Sequence, residues 1–156
     1  VGEVILGFVR QGTVHRHDTL RLLPADKDVL VRSIQMQDMD FEEAAAGSRV
    51  GLLIKDAAVE EMKRGSLLCT KDAARTASTV TLAFTKNRFY PEVKTGLFHV
   101  AVGMQTVPAS VTSVNDGTVT LGLEKPVGFM ASERFLLLDL NAKKMHLVGS
   151  GMVVPS

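Results

Sequence analysis

Near its start the chain reads Gly2-Glu3-Val4-Ile5-Leu6-Gly7-Phe8-Val9-Arg10-Gln11-Gly12, an apolar alternating strand punctuated by three glycines. Glycine inside a strand marks a bend or a close backbone approach, so Gly7 is expected where another backbone passes. Gly12 is expected to supply the positive φ of a turn into the next strand. Strand, turn and strand in this rhythm suit a sheet curled into a closed β-barrel. They do not suit a catalytic loop.

Similar short runs recur at Val4 to Val9, Thr19 to Leu23, Val29 to Met36, Arg49 to Ile54 and Ser66 to Cys69, each ending in turn chemistry such as Pro24-Ala25-Asp26 or Ala46-Gly47-Ser48. Phe41 to Ala46 favours helix but is too short to stand without tertiary support, so it reads as a loop or single turn. Ala57 to Gly65 reads as one helical turn leaving through Gly65. Thr70 to Ala77 is small, polar and aperiodic, which makes 71–77 the expected linker. Strand signals resume at Ser78 to Phe84, Leu97 to Val102, Ala109 to Val114, Thr118 to Leu123, Arg134 to Leu140 and His146 to Val154. Asp116-Gly117 gives a two-residue hairpin signal between two of these runs. The expected fold class is therefore all-β, with two small closed β-barrels in tandem over 1–70 and 78–156.

Val, Leu and Ile dominate the apolar residues, while there are seven Phe, one Tyr and no Trp among 156 residues, as suits an aliphatic core between curved sheets. A single cysteine, Cys69, permits no internal disulfide and implies a reducing, cytoplasmic setting. No run approaches the roughly 18 apolar residues of a membrane helix, so no membrane partner is expected. The chain begins without Met and with a strand already under way, which reads as a piece of a longer protein. Net charge is +1, but its distribution is uneven. Residues 1–70 hold nine basic against eleven acidic side chains, whereas 71–156 hold nine against six. The second half is the more basic.

The chain has no phosphate loop of the form GxxxxGK[ST], so it carries no nucleotide-binding machinery of its own. His15 and His17 lack a third ligand nearby, and His99 and His146 read as structural. Asp38, Asp40, Glu42 and Glu43 lack the glycine and spacing of a calcium loop. Neither catalytic nor metal-ligating residues are expected, and nothing assembles a nucleophile, base and orienting group.

Several spaced motifs point to one family. The opening glycine pattern, Asp18-Thr19-Leu20, Val31-Arg32-Ser33-Ile34-Gln35, Ala46-Gly47-Ser48-Arg49-Val50-Gly51-Leu52 and Lys63-Arg64-Gly65 resemble, in order and spacing, the second domain of translational GTPases of the EF-Tu type. Val31 to Gln35 is especially similar to archaeal SelB-like factors. Val102-Gly103-Met104-Gln105-Thr106-Val107-Pro108-Ala109, Leu123-Glu124-Lys125-Pro126 and His146 to Gly151 resemble the third domain of the same factors. The opening Gly2-Glu3-Val4 and the pair His17-Asp18 depart from the family's usual Gly-Thr-Val and Gly-Asp.

The resemblance implies two barrels that sit behind an amino-terminal GTPase domain, missing here, with GTP and magnesium as that domain's cofactors. Its partners would be aminoacyl-tRNA and the ribosome. Counting back from Gly47 places Gln35, Gln37 and Asp38 where such factors hold the tRNA 3′ end, and none of these three keeps the EF-Tu residue type. Met36 would then pack under the terminal base, with the two glutamines at its edge. Lys86, Arg88, Lys94, Lys143 and Lys144 would lie along tRNA phosphates. Two alternatives stand beside this one. The parent resembles the gamma subunit of archaeal initiation factor two, or the barrels serve as a protein-interaction scaffold in a factor that has lost tRNA affinity.

Overall fold

The computed structural model describes residues 2–155. They form strands and turns with a single 3₁₀ turn at Val59–Glu61, and they divide into two compact units. The first unit runs to Lys63 and takes in Leu68–Asp72; the second holds Arg64–Leu67 and everything from Ala73 onward. Among the described residues no helix is long and apolar enough to cross a membrane.

The first unit is built on one sheet of β1 (Glu3–Phe8), β3 (Thr19–Leu23), β4 (Lys27–Met36), β5 (Met39–Phe41), β7 (Arg49–Lys55) and β8 (Leu67–Cys69), the last beginning at Leu67 of the second unit. Its order is β1-β7-β4-β3-β8, with β5 paired to β4. A separate ribbon joins β2 (Thr13–His15) to β6 (Glu43–Ala45). Among the described residues this sheet does not close on itself through hydrogen bonds, in contrast to the closed cylinder expected from the glycine rhythm. The chain leaves the end of β1 through Val9, whose carbonyl takes the Gly47 N–H at 2.8 Å, and turns at Gly12 (φ 72°) into the ribbon. Val14 and Ala44 of the ribbon share one apolar cluster with Leu22, Val31, Ile34 and Ile54 of the sheet. Burial of each large side chain there contributes roughly 1.5–3 kcal/mol.

Three local expectations change. Phe41 to Ala46 is neither loop nor helical turn: Phe41 ends β5 and Glu43–Ala45 is β6, because pairing with β4 and β2 overrides a helix-favouring composition. A Cβ at Gly7 would meet nothing within 4 Å, so no backbone presses on that position. Arg75–Ala77 is not linker but the start of the strand Arg75–Lys86, paired there to residues 127–129. The expectations at Gly12 and Gly65 are met, with φ of 72° and 90°.

The second unit is a closed barrel in the order β10-β11-β12-β9-β14-β13. Its strands are β9 (Arg75–Lys86), β10 (Gly96–Val102), β11 (Gln105–Asn115), β12 (Thr118–Phe129), β13 (Arg134–Leu138) and β14 (Leu147–Val153). Phe129 and Phe135, both fully buried, meet edge to face with ring centroids 5.1 Å apart. Closure happens at β14 and β9, where Gly149 and Gly151 admit the neighbouring backbone. A Cβ at Gly151 would stand 2.3 Å from the Ala83 carbonyl oxygen. The Asp116-Gly117 turn joins Asn115 to Thr118 as expected, with Gly117 at φ 72°.

Candidate nucleic-acid interface

The four positions expected at the tRNA end fall on the hairpin joining β4 to β5. Gln37 and Asp38 form its two-residue turn with φ of 51° and 62°, both in the left-handed region that primed hairpin turns require. That turn sets Gln35 opposite Asp40 and Met36 opposite Met39. Gln35 is exposed and its Nε2 donates to Asp40 Oδ1 at 3.0 Å. Met36 instead packs against the apolar cluster of the sheet, so it does not share a face with Gln35. A base cannot rest on Met36 while its edge meets Gln35.

A bulge in β4 decides this orientation. Strict alternation from Val29 and Val31 would carry Ser33 and Gln35 inward. The register slips between Val31 and Ser33, and the extra residue turns Ile34 into the core and Gln35 outward. The three-residue spacing of Val31 and Ile34 is the sequence signal for this shift.

What lies beside Gln35 was not evident from sequence. Across the sheet one row runs Leu6, Gly51, Gln35, Asp40, and the next runs Val4, Leu53, Ser33. Val4, Leu6 and Phe8 all point out of β1, 68%, 74% and 63% exposed. Among the described residues nothing covers this row of apolar side chains on the edge strand. Gly51 leaves a saddle between Leu6 and Gln35, since a Cβ there would sit 3.5 Å from Leu6 Cδ2 and 4.0 Å from Gln35 Cβ. Aliphatic floor, open saddle and amide rim therefore occupy one continuous surface of the first unit.

In the second unit two loops meet at one end of the barrel. Asn87 Nδ2 donates to the Leu147 carbonyl at 2.9 Å, and the Tyr90 hydroxyl donates to Asp139 Oδ2 at 2.6 Å. Burial, and then the adjacent Asp139 carboxylate, push the Tyr90 hydroxyl up to about 12. These bonds tie the Asn87 to Tyr90 loop, which carries Arg88, to the two ends of the segment from Asp139 to Leu147, which carries Lys143 and Lys144. Lys86 is turned onto its own loop, donating to the carbonyls of Asn87 and Tyr90. The Arg88 guanidinium lies 4.4 Å from the Phe89 ring centroid. Lys94 reaches Glu92 at 4.0 Å, a contact between exposed side chains. Lys143 and Lys144 are exposed. An open groove of about 540 Å³, lined by Phe84, Tyr90, Val93, Val114 and Val119, adjoins Lys86.

His15 contacts Glu43 at 3.1 Å and Asp18 at 3.6 Å, and among the described residues no three His, Cys, Asp or Glu converge as a metal site.

Residues 2–69 match the family model for elongation factor Tu domain 2. Over 97% of its length the chain is 39% identical to an uncharacterized protein of Methanocaldococcus jannaschii and covers 49% of it. It is 29% identical, over 99% of its length, to the selenocysteine-specific elongation factor of the same organism, covering 38% of that protein. Among solved structures it resembles translation elongation factor SelB from Methanococcus maripaludis in complex with the GTP analogue GppNHp. That likeness has TM-score 0.84 at 26% identity, covering 99% of this chain and 40% of that one. The chain thus spans half or less of the length of these relatives.

Proposed function

With residues 2–69 matching elongation factor Tu domain 2 and the whole chain resembling selenocysteine-specific elongation factors, we propose that it is the non-catalytic, tRNA-binding portion of a SelB-like translation elongation factor. The single observation that carries this reading is the outward row of β1, β7, β4 and β5. A 3′-terminal base lies on Leu6, flanked by Val4 and Phe8, over the Gly51 saddle. The amide of Gln35 meets its edge. Single-stranded ends are recognised in this way, by contact with an unstacked base and hydrogen bonds to its edge, and each such base contact contributes about 1–3 kcal/mol. Gln37 and Asp38 shape the hairpin. Met36 anchors it from the core side.

The joined loops of the second unit supply Arg88, Lys94, Lys143 and Lys144 to the phosphates of a tRNA stem, contacts that position the nucleic acid without reading it. Two barrels in tandem go with this reading, the β2–β6 ribbon covering the open side of the first sheet. In such a factor GTP and magnesium are held by a GTPase domain. The ribosome is the further partner, and the cytoplasm the setting.

The test is binding of the protein to a tRNA acceptor minihelix with a free 3′ end, measured against salt. Wild type binds, and Leu6→Asp weakens binding at least tenfold while leaving the salt slope unchanged. Failure to bind at low salt would remove the tRNA reading and leave the apolar row as a contact surface for protein.

A further inference from the structure

We infer that Arg32 and Lys55 form a phosphate subsite on the outward face of the first unit's sheet, holding a backbone phosphate of the single strand whose last base lies on Leu6. The inference rests on the RNA-end reading above and extends it to the chain behind that base. Gly2, Arg32, Leu53 and Lys55 line a recess of about 120 Å³. Val31 and Ile54, cross-strand partners on β4 and β7, are fully buried, and the exposed Arg32 and Lys55 that follow them point the other way. Leu53, at the floor of the recess, belongs to the outward row of Val4 and Ser33. Gly51 and Lys55 are four residues apart on β7, about 13 Å, so the recess and the Gly51 saddle share one face.

Charge pairing singles these two cations out. Residues 1–70 carry more acidic than basic side chains, and other cations of this unit are spent within the fold. Arg16 holds Glu42 at 2.9 Å and the Arg32 carbonyl at 3.2 Å, Arg21 lies 3.5 Å from Asp28, and Lys27 holds Glu61 at 2.9 Å. Among the described residues no carboxylate pairs with Arg32 or Lys55. The bond from Arg16 pins the backbone at Arg32, the residue that the bulge leaves without a cross-strand partner, while its guanidinium stays open to a ligand. Two like charges at one recess repel each other, and an anion between them removes that repulsion. A guanidinium fork grips two phosphate oxygens at once, and the lysine adds a point charge. A nucleic-acid strand carries base and phosphate on one chain, matching an aliphatic floor and a cationic recess on one face. The strand therefore arrives over the Arg32 end and finishes at Leu6.

Binding of the intact protein to acceptor minihelices tests this, with one methylphosphonate placed in turn at each linkage of the single-stranded end to remove a single charge. Arg32→Gln with Lys55→Gln weakens binding of the all-phosphate minihelix roughly tenfold and lowers the slope of log K against log salt by about 0.7, the share of one single-strand phosphate, while circular dichroism stays that of the wild type. One neutral linkage costs the wild type a similar loss and costs the double variant nothing further. If the double variant keeps the wild-type affinity and slope, or no neutral linkage weakens the wild type, or the neutral linkage weakens both proteins equally, the subsite is wrong, and the RNA-end reading survives where Leu6→Asp still weakens binding. Inorganic phosphate that competes with the minihelix at matched ionic strength in the wild type but not in the double variant, with every neutral linkage silent, assigns the recess to free phosphate and likewise overturns the inference. If wild type binds no minihelix, the RNA-end reading falls and takes this inference with it.

Discussion

Replacing Gly151 by alanine is expected to spring the closed barrel at its tightest seam. The new Cβ would stand 2.3 Å from the Ala83 carbonyl oxygen, 3.0 Å from the Ala83 carbonyl carbon and 3.1 Å from Leu82 Cβ. Non-bonded carbon atoms rest about 3.5–4.0 Å apart, so β14 must retreat from β9 by something near 1 Å. The obstacle is backbone, and the two strands are held in register at Gly151 and Phe84, so no flexible side chain can absorb the shift. Overpacking of this kind costs about 1–3 kcal/mol, and weakening one ladder hydrogen bond adds about 1 kcal/mol. A loss of about 3 kcal/mol is therefore expected. Urea unfolding followed by circular dichroism reads it. With m of about 1–3 kcal/mol/M, the midpoint of the second unit's transition falls by more than about 1 M. Gly51→Ala is the control, because its Cβ would find an ordinary 3.5 Å contact with Leu6, and it changes stability by no more than about 0.5 kcal/mol. Should the two variants unfold alike, the seam is not as tight as described and closure does not depend on glycine.

Three further outcomes follow from the structure. Glu61 accepts from the Ala58 backbone N–H and from Lys27 Nζ, which hold its carboxyl below the ordinary 4.5. A lowered pKa stabilises the fold fully above the unfolded value and loses that contribution as pH falls through the folded one. The difference in urea midpoint between wild type and Glu61→Gln is thus constant near neutral pH and shrinks in acid below about 4.5. Tyr90 titrates by ultraviolet absorbance at about 12, and Asp139→Asn lowers that midpoint while leaving it above the ordinary 10.0, because burial is the larger cause. The raised value stabilises the fold below the unfolded pKa, and that contribution is lost as pH rises through the folded one. Lys143→Ala with Lys144→Ala reduces the slope of log K against log salt for a minihelix by about 1–2 without changing preference among terminal bases.

Much of the framework was legible because alternation and turn chemistry agree with it. The opening strand, Val29 to Met36 and Arg49 to Ile54 emerge as β1, β4 and β7, and the turns at Gly12, Gly65 and Gly117 take positive φ. What was not legible depends on partners distant in sequence. Glu43–Ala45 is a strand because β2 pairs with it, and nothing local in Glu-Ala-Ala announces that. Gly149 and Gly151 looked like part of a terminal motif, yet they carry the closest backbone approaches in the barrel, the role assigned from sequence to Gly7. Gln35 was singled out by its place in the motif, whereas its floor, Leu6, reads in isolation as one more apolar strand residue. Only the cross-strand row through Gly51 puts them together. Met36 was given the base because it is apolar and adjacent. The bulge after Val31 puts Met36 on the core side and Gln35 on the outward face.

The most direct measurement is a map of where the RNA end lies. A minihelix carrying a photoreactive azido-adenosine as its last nucleotide, bound to the protein, irradiated and digested, should crosslink within Glu3–Phe8, Arg49–Lys55 or the Gln35 to Asp40 hairpin. Leu6→Asp should abolish that adduct. Specific adducts confined to the second unit, or unaffected by Leu6→Asp, would contradict the placement of the 3′ base on the β1, β7 and β4 face.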